Sequence, residues 1–538
     1  MQEYDYIIVG AGSAGCVMAA RLAQGGRSSV LLIEAGGSDR HPWIRLPIGY
    51  GRLFYHRSLN WRYETEADPG SNGRAAYWPR GKTVGGSSSI NALVYSRGQP
   101  FDYDDWAEAG ASGWGWDAVR PHFEAIERHV SPDGSEHGTG PLYVSDVRNR
   151  VHHFNRHYFE AASEMGLPVS EDLNLRQTEG VGYYPITTRN GLRCSAADAF
   201  LYPAMKQGCI TLMKNTLVRR VTLEGRRATG VELAGPGGGQ TIKARKEVIL
   251  SAGAVNSPQL LQLSGIGPGA LLQQQGIPVV LANDNVGGNL QDHLAVTWYY
   301  KSTERTMNND LSPWWGKMIA GMQYVLGRRG PLALSVNQCG GFVRSTPEAP
   351  RVDLQLYLTP LTYVTTQEPG KRQIVNPDPW PGFLLCHQPS RPTSRGRIDI
   401  CSPDPTAQPA IRPNYLSTQA DLDVAVAGGR LIQRMARTQA IQRVIKSPMD
   451  PDLLSLDTDE GLLDDFRARS GTVYHPVSTC RMGRDAQSAV VDPQLRVFGI
   501  EGLRVVDASA FPNVTSGNTN GPTIMLAHKA AESMLQGS

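Results

Sequence analysis

Three glycines near the start of the chain have a spacing that suits the binding of a dinucleotide. Gly10, Gly12 and Gly15 form the pattern G-x-G-x-x-G in the stretch G-A-G-S-A-G. The first glycine permits a tight turn, the second lets the backbone approach a pyrophosphate, and the third lets a helix pack closely on a strand. Free N–H groups at the start of the following helix would bind the phosphates.

The elements around this pattern are those that such a site needs. The apolar run Tyr4–Val9 is typical of a buried parallel strand, and an apolar helical stretch follows at Cys16–Gln24. A second strand, Ser29–Ile33, ends at Glu34, which is placed to accept hydrogen bonds from a ribose diol. An ordinary glycine turn is the alternative. The pattern suits NAD as well as FAD, and its place at the N-terminal end of a long chain favours FAD.

Two further stretches rich in small residues indicate loops pressed against a ligand. Residues 80–91 have the sequence R-G-K-T-V-G-G-S-S-S-I-N, which is too small and polar for a core element. Backbone amides in such a loop can reach a ligand directly. Residues 253–267, G-A-V-N-S-P-Q-L-L-Q-L-S-G-I-G, place a helix between two glycine turns, shortly after a predicted buried strand, Glu247–Leu250.

The composition is that of a large globular protein. The chain has 538 residues, which predicts more than one domain, and 40% of them are hydrophobic, enough to fill a large core. It contains 58 glycines and 36 prolines without a Gly-X-Y repeat. Collagen is therefore excluded, and the combined share of the two residues is too low for a disordered, low-complexity chain.

Charge and cysteine usage exclude other classes. The net charge is +3, from 53 basic and 50 acidic residues that form no basic run, which argues against a nucleic-acid-binding protein. No apolar stretch has the ~18 residues of a membrane span, and the first residues lack a signal-peptide pattern. The seven cysteines are scattered without Cys-x-x-Cys, so neither a disulfide framework nor a metal site is expected. We expect a cytoplasmic protein, and peripheral association with a membrane stays open.

Taken together, the motifs resemble those of the glucose–methanol–choline family of FAD-dependent oxidoreductases. Residues 80–91 and 253–267 match the two family signatures nearly residue for residue. Further matches are V-G-G-N-L-Q-D-H at 286–293, H-P-V-S-T-C-R-M-G at 475–483, G-L-R-V-V-D-A-S-A-F-P at 502–512 and S-G-N-T-N-G-P-T-I-M at 516–525. The resemblance spans the chain, and it is strongest to the bacterial choline dehydrogenase and aliphatic alcohol dehydrogenase branch.

The resemblance implies an α/β protein with an α+β second domain. A Rossmann-like FAD-binding domain is expected beside a substrate domain built as an antiparallel sheet backed by helices. The order of the motifs makes the FAD-binding domain discontinuous, with segments 1–150, 191–300 and 465–538. The substrate domain is expected to comprise 151–190 and 301–464.

Three patterns indicate the elements of the substrate domain. Val352–Leu358 and Gly396–Ile400 alternate with period two, which suits strands of an antiparallel sheet with one covered face. Asp421–Arg437 has apolar residues at helical spacing. The apolar segment Met318–Met322 is predicted to belong to a core or lid helix.

Oxidation of an alcohol by a flavin requires removal of the hydroxyl proton and transfer of a hydride to flavin N5. The proton needs a base with a pKa near neutrality, for which histidine is the natural choice. By resemblance His475 is this general base, and Asn518 hydrogen-bonds and orients the substrate oxygen. A core histidine before Pro476 and turn chemistry around Asn518 are the alternatives. No role is assigned to His293 or His528.

The resemblance also implies which residues hold the cofactor. The final helix, Gly521–Leu535, is expected to direct its N-terminus at the pyrimidine edge of the flavin. Ile90 stands where covalent-flavin relatives have a histidine, so FAD is expected to be bound non-covalently. The expected cofactor-binding residues are Gly10, Gly12, Ser13, Ala14, Gly15, Glu34, Ala35, Trp61, Arg80, Val84, Gly86, Ser87, Asn91, Ala92, Leu93, Val94, Val218, Ala252, Tyr474, Asp507, Ala508 and Thr519.

The sequence defines the substrate less well. In choline dehydrogenases a glutamate that could pair with the quaternary ammonium stands at the position of Gln338, which makes this neutral residue a candidate pocket residue and favours a neutral primary alcohol. Choline dehydrogenase activity, a hydroxynitrile lyase with structural FAD, an NAD-dependent dehydrogenase and a non-catalytic flavin-binding module stay open as alternatives. So do the electron acceptor, which is O₂ or a quinone-type carrier, and the oligomeric state.

Overall fold

Two seven-stranded sheets organise the protein, whose computed structural model describes residues 2–174, 179–235, 239–368 and 371–537. The first sheet has a parallel part and two antiparallel strands at one side. In spatial order its strands are Ile210–Met213, Val30–Ile33, Glu3–Val9, Thr241–Leu250, Arg227–Leu233 and Val218–Glu224, with Leu503–Val505 paired to the end of Thr241–Leu250.

The parallel strands end together at one edge of the first sheet. Val9 lies opposite both Ile33 and Leu250, and Leu250 lies opposite Val505. All four side chains are buried, as expected for parallel strands covered on both faces. The loops that follow carry the glycine turn at 10–15, Glu34 and the stretches around 252 and 507, so the topology brings these distant motifs to one edge.

Helices cover the first sheet and begin at the same edge. Ser13–Leu22 packs against Asn520–Gln536, which also contacts Trp116–Ile126, and Gly253–Leu263 packs on Val218–Glu224. The other α-helices are Pro42–Arg45, Tyr50–Leu53, Pro100–Glu108, Arg156–Glu164, Tyr202–Met205, Gly269–Gln274, Met307–Leu311, Trp314–Gly327, Gln419–Ala436, Gln439–Gln442 and Asp459–Arg469.

The second sheet is antiparallel throughout. In spatial order its strands are Ile445–Pro448, Leu294–Ser302, Gly382–Pro389, Leu354–Thr359, Cys339–Val343 and Gly180–Tyr183, with Gly471–Thr472 paired to Leu294–Ser302. Helix Gln419–Ala436 packs on the strand Gly382–Pro389 and on helix Asp459–Arg469. The expected fold class, α/β with a second α+β part, is confirmed.

The domain boundaries stay a prediction, but the pairing of one strand bears on them. Leu294–Ser302 crosses the boundary predicted at residue 300 and pairs within the second sheet. Gly471–Thr472, from the segment 465–538, also pairs with this strand. The two sheets therefore exchange chain segments at these points.

The strand expected at Val352–Leu358 is present in the antiparallel sheet as Leu354–Thr359, but the expectation that only one of its faces is covered is wrong. Leu354–Thr359 is buried on both faces, since helices cover one side and a second apolar cluster with Tyr357 and Phe342 covers the other. Arg397–Asp399 pairs only with Ala410–Arg412, outside the large sheet. The helix that contains Met318–Met322 is not a core helix, because Met318, Ile319 and Met322 are 42–50% exposed.

Short paired segments complete the described structure. These are Tyr63–Glu64 with Tyr77–Trp78, Glu127–Val130 with Glu136–His137 and Leu142–Ser145, Thr188–Arg189 with Leu192–Arg193, Ile266–Gly267 with Leu281–Ala282, and Tyr363–Glu368 with Lys371–Pro377. Within the described ranges no helix combines the length and apolar character needed to cross a bilayer.

Candidate active site

One cavity lies at the carboxyl edge of the first sheet and brings the separated motifs together. It encloses about 1680 Å³, part of which is open to solvent. The predicted residues that line it are His475, Asn518, Gly10, Gly12, Ser13, Ala14, Glu34, Ala35, Trp61, Arg80, Gly86, Ser87, Asn91, Ala92, Leu93, Val94, Val218, Ala252, Tyr474, Asp507, Ala508 and Thr519. Ile90 also lines the cavity.

Two of the expected cofactor residues, Gly15 and Val84, do not line the cavity. A Cβ at Gly15 would lie 1.9 Å from the carbonyl oxygen of Gly10, so only glycine allows the first helix to approach the turn this closely. Val84 is fully buried in the core of the first sheet, and its N–H donates to the carbonyl of Gly37. Gly15 and Val84 therefore support the glycine turn at 10–15 and the loop at 80–91, and neither residue faces the cavity.

Gln338, the candidate substrate-pocket residue, does not line this cavity, and its place in a substrate pocket stays a prediction. Its side chain is 2% exposed, and its Oε1 accepts hydrogen bonds from the backbone N–H of His152 and from Nδ2 of Asn155, at 3.0 and 2.9 Å. These bonds hold the amide among residues of another chain segment and away from the cavity lining. The charge of this residue therefore carries no argument about the substrate.

Two helices begin at the cavity with no side chain capping their first N–H groups. The N-cap residues are Gly12 for helix Ser13–Leu22 and Thr519 for helix Asn520–Gln536, and neither side chain caps its helix. Uncapped N-termini carry free donors and the positive end of the helix dipole. The glycine loop at 85–86 closes over the first of them, since a Cβ at Gly86 would lie 2.6 Å from Cα of Gly12. These features fit a phosphate-bearing ligand.

Glu34, which follows the strand Val30–Ile33, also fits a phosphate-bearing dinucleotide ligand. Its carboxylate accepts hydrogen bonds from the N–H groups of Ala11 and Gly36, at 3.0 and 2.8 Å. Burial raises its pKa to about 7, although these two bonds and the charge of Lys82 oppose the shift. Each carboxylate oxygen keeps a free lone pair, so Glu34 can still accept from a ribose hydroxyl. The donors, the glycine contacts and this acid together fit a dinucleotide such as FAD.

Beside the cavity, two histidine rings contact each other. Nδ1 of His475 lies 3.0 Å from Nδ1 of His293, and Nε2 of His293 lies 2.9 Å from the carbonyl oxygen of Ser390. A carbonyl only accepts, so Nε2 of His293 carries the hydrogen. Burial lowers the pKa of His293 to about 4, so the ring is neutral and its Nδ1 is an acceptor. His475 must then donate from Nδ1, which leaves its Nε2 unprotonated.

The environment of His475 keeps this ring neutral as well. Its pKa lies well below the usual 6.5 because of burial first, then the neighbouring His293 and the charge of Arg80. Nδ2 of Asn518 lies 3.1 Å from Nε2 of His475 and donates to its lone pair. Oδ1 of Asn518 is buried without a hydrogen-bond partner among the described residues. His475 and Asn518 both line the cavity. Nε2 of His475 accepts from Asn518 there, and Oδ1 of Asn518 has no partner among the described residues.

The backbone of His475 is fixed by Asp292. Oδ1 of this buried carboxylate accepts from the N–H of His475 at 2.7 Å, and Oδ2 accepts from the hydroxyls of Tyr415 and Thr472 at 2.6 Å each. Arg80 holds the preceding residue, donating to the carbonyl of Tyr474 at 2.6 Å. The general-base candidate is therefore held at its backbone and at its ring.

Sequence reasoning missed the contributions of Asp292 and His293. Both lie at the end of the stretch V-G-G-N-L-Q-D-H, which matches a family motif but predicts no role for either residue. Their contacts join residues 182 and 183 positions apart in the chain. The match to this family motif could have singled out Asp292 and His293 as candidate site residues.

Carboxylates are scarce among the described residues that line the cavity, where they are Glu34 and Asp507. Oδ2 of Asp507 accepts from the N–H of Gly253 and from Oγ of Ser257, and Oδ1 accepts from Ser509. Both acids are occupied by backbone amides, and neither bonds His475 or Asn518. The lining beside His475 instead includes an aromatic pair, Phe54 and Tyr474, with ring centres 5.3 Å apart.

A second polar cluster lies outside this cavity. Nδ1 of His122 lies 3.2 Å from Nδ1 of His528 and 3.5 Å from the carboxylate of Glu532, and among the described residues this group has ligand atoms close enough for a metal. After burial, the charges of Lys529 and Arg21 lower the pKa of His122 and of His528, respectively. These two cations oppose a metal ion at this cluster, while Glu532 raises the pKa of His122 and favours one.

Comparison with known proteins places the chain among oxidoreductases. It matches the two parts of the family described as GMC oxidoreductase, over residues 4–295 and 392–527. It is 40% identical over 534 residues to an alcohol dehydrogenase (acceptor) of Pseudomonas putida, covering 98% of this chain and 95% of that protein. It is 39% identical over 540 residues to mitochondrial choline dehydrogenase of Homo sapiens, covering 98% and 89%.

The fold comparison agrees with the sequence comparison. The crystal structure of pyridoxine 4-oxidase from Mesorbium loti superposes with a TM-score of 0.87 at 31% identity and covers 99% of both chains.

Proposed function

Because the chain belongs to the GMC (glucose–methanol–choline) oxidoreductase family, we propose that it oxidises a neutral primary alcohol to the aldehyde with FAD as cofactor. His475 is the general base, and Asn518 orients the substrate oxygen. Membership of the family supplies the coarser activity, which is oxidation of a CH–OH group by a flavoenzyme. The residue roles and the class of alcohol rest on the geometry of the cavity.

The unprotonated Nε2 of His475 carries the proposal. Ser390 fixes the tautomer of His293, and His293 fixes that of His475, so Nε2 is unprotonated and its lone pair accepts from Nδ2 of Asn518 until a substrate hydroxyl displaces that donor. A substrate hydroxyl can donate to this lone pair and transfer its proton there. The Nδ1–H bond to His293 is kept during the transfer, so the resulting imidazolium stays hydrogen-bonded at Nδ1.

Asn518 acts on the substrate oxygen from the adjacent position. Its Nδ2 donates to Nε2 of His475, and an alcohol that enters this contact can take over the donor and orient its carbinol carbon. An amide does not exchange protons near neutral pH, so Asn518 orients and His475 holds the proton. Because His475 is only 7% exposed, water is largely excluded from the proton transfer.

The residues around the glycine turn would hold the cofactor. The N-termini of helices Ser13–Leu22 and Asn520–Gln536 would each face negative charge, and Glu34 would accept from the ribose. When bound, FAD supplies the acceptor for the hydride. Ile90 has no nucleophilic atom and lies in an apolar cluster with Ile44 and Leu53, so binding is non-covalent.

A neutral alcohol suits the charges near His475 better than choline does. Among the described lining residues the carboxylates are Glu34 and Asp507, and both bind backbone amides away from His475 and Asn518. Arg80, which lies close enough to lower the pKa of His475, opposes a quaternary ammonium there, and the buried Asp292, which accepts from the N–H of His475, offsets part of this charge. The likeness to choline dehydrogenases makes choline the essential comparison substrate.

Anaerobic stopped-flow mixing with a panel of alcohols tests the proposal. Neutral primary alcohols should bleach the flavin absorbance faster than choline at equal concentration. His475→Ala should slow bleaching by ~10²–10⁴-fold, whereas the exposed control His137→Ala should keep the wild-type rate. Unchanged bleaching by His475→Ala would refute its role. Aldehyde release from a cyanohydrin without bleaching would instead indicate a lyase.

The electrons then pass to O₂ or to a quinone-type carrier. Following flavin reoxidation with air and with a soluble quinone, together with peroxide, separates these acceptors. Peroxide formed in step with turnover identifies an oxidase, and turnover that depends on the quinone identifies a dehydrogenase.

A further inference from the structure

The helix Trp314–Gly327 exposes an unusual amount of apolar surface. We call its seven exposed apolar side chains the apolar ridge: Trp314, Trp315, Met318, Ile319, Met322, Val325 and Leu326. Trp314, Val325 and Leu326 are 75%, 77% and 85% exposed, and elsewhere in the described chain the large apolar residues with comparable exposure are scattered singly. Contiguous apolar surface of this kind marks an interaction site.

The helix is held on the protein by a narrow stripe of residues four positions apart. Gly316, Ala320 and Tyr324 are its buried residues. A Cβ at Gly316 would lie 2.3 Å from the carbonyl oxygen of Asp310, and the hydroxyl of Tyr324 donates to the carbonyl of Gly191 at 3.1 Å. Most of the helix circumference therefore projects outward as a convex ridge, built on firm contacts beneath.

Positive charges lie on and directly after the helix, whereas Asp310, just before it, is ion-paired with Arg305. The chain has no acidic residue between 311 and 347, whereas Lys317, Arg328 and Arg329 are exposed on or directly after the helix. A fourth cation, Arg150, lies near Arg329, since after burial the charge of Arg329 is the next cause that lowers the pKa of Arg150. The ridge is thus bordered by positive charge at its C-terminal end.

We propose that this helix docks the protein on the surface of an anionic lipid bilayer. At 1.5 Å per residue its 14 residues span about 21 Å, too short to cross the ~30 Å hydrocarbon layer. It therefore lies in the plane of the interface. Tryptophans favour the headgroup region, the aliphatic side chains enter the acyl boundary, and the cations contact anionic headgroups.

The shape of the surface favours a bilayer over a second copy of this chain. A convex ridge offers little contact area to another rigid surface, but it can insert into a fluid one. Lipid binding does not depend on turnover, so it can be tested apart from the proposed activity.

Vesicle flotation of the FAD-loaded protein tests this proposal. Wild-type protein should float with phosphatidylcholine vesicles containing phosphatidylglycerol, and less with phosphatidylcholine alone. The variant Trp314→Ser/Val325→Ser/Leu326→Ser should bind about tenfold more weakly or worse, since each side chain no longer enters the acyl region. The control Val169→Ser/Val279→Ser, which changes residues exposed elsewhere, should bind as wild type.

A charge variant and two physical checks complete the test. Lys317→Gln/Arg329→Gln should lose the preference for anionic vesicles, as high salt should in the wild type. Melting temperature and the flavin spectrum should match wild type in every variant, because the altered side chains are exposed. Wild-type protein that floats with neither vesicle, or a ridge variant that floats equally well, would overturn the proposal. So would concentration-dependent dimerisation that requires the ridge in protein that binds no vesicles.

Discussion

Nδ1 of His293 lies 3.0 Å from Nδ1 of His475, and this contact sets the protonation state of the candidate base. The carbonyl of Ser390 accepts from the far nitrogen of His293, so hydrogen-bond direction passes from a backbone group through one ring to the next. The tautomers of both rings are set without a carboxylate bonded to either ring, and burial lowers the pKa of His293 and of His475. His293 is therefore a positioning residue for the proposed reaction.

Replacing His293 should impair proton removal without removing the base. In His293→Gln the acceptor for Nδ1–H of His475 is no longer fixed, so the unreactive tautomer becomes populated. Flavin reduction should slow by about 10–100-fold, the range found when partners of functional histidines are removed, with little change in FAD content. The measurement is anaerobic stopped-flow reduction across a pH series.

His528→Gln is the matched control for His293→Gln, because His528 is also buried but contacts His122 and not His475. The flavin of the His528→Gln variant should be reduced at the wild-type rate. A His293→Gln enzyme with the wild-type rate and pH profile would show that the contact between the two rings does not select the tautomer.

The sequence predicted the parts of the site that follow local patterns. A strand, a glycine turn and a helix are contiguous in the chain, so the residue pattern alone places Gly10, Gly12 and Glu34 at one strand edge. Contacts across 182 residues leave no periodic trace, and for this reason the sequence assigns His293 no role. The hydrogen bonds that hold Gln338 away from the cavity come from His152 and Asn155, in another segment of the chain, and the sequence does not reveal such contacts.

For the helix that contains Met318–Met322 only the core alternative is wrong, for a different reason, and the lid alternative stays a prediction. Apolar composition normally predicts burial, and Met318–Met322 is accordingly expected in a core or lid helix. Composition alone does not reveal that only Gly316, Ala320 and Tyr324 face the protein. An apolar segment without a clear polar face is equally compatible with a core and with a lipid-facing surface.

The buried histidines should make the folded protein sensitive to mild acid. Burial lowers the pKa of His293 to about 4 and that of His387 to about 3, from 6.5. Between these values and 6.5 the two histidines bind protons in the unfolded chain but not in the native protein, so their contribution to stability is lost as the pH falls below 6.5, while Glu34, whose pKa is raised to about 7, contributes in the opposite direction. Each such histidine contributes a slope of about 1.4 kcal/mol per pH unit.

Denaturant unfolding between pH 7 and pH 5 measures this slope. His387→Gln, which lies outside the cavity, should flatten the pH dependence by about one proton, whereas the exposed His137→Gln should not. A His387→Gln variant with the same pH dependence as the wild type would contradict the neutral state of this ring.

FAD should leave the protein on denaturation. Ile90, at 2% exposure, packs with Ile44, Leu53 and Leu59 and offers no atom for a bond to the flavin. Acid precipitation of the purified yellow protein should leave a colourless pellet and free FAD in the supernatant, measured by absorbance and chromatography. A pellet that keeps the flavin spectrum would show a covalent link through another residue of the cavity.

Gly15→Ala should disrupt the glycine turn, although Gly15 does not line the cavity. Its added Cβ would lie 1.9 Å from the carbonyl oxygen of Gly10, so the helix Ser13–Leu22 must move away from the glycine turn at 10–15. Overpacking of this kind costs about 1–3 kcal/mol, and the shift displaces the free N–H groups from the phosphate position. We expect a lower melting temperature and most of the protein purified without FAD.

Gly321→Ala is the control, because it lies in a helix with nothing within 4 Å of its Cβ and should be neutral or slightly stabilising. If Gly15→Ala retained full FAD content while Gly321→Ala did too, the close approach of helix and turn would not be needed to build the cofactor site.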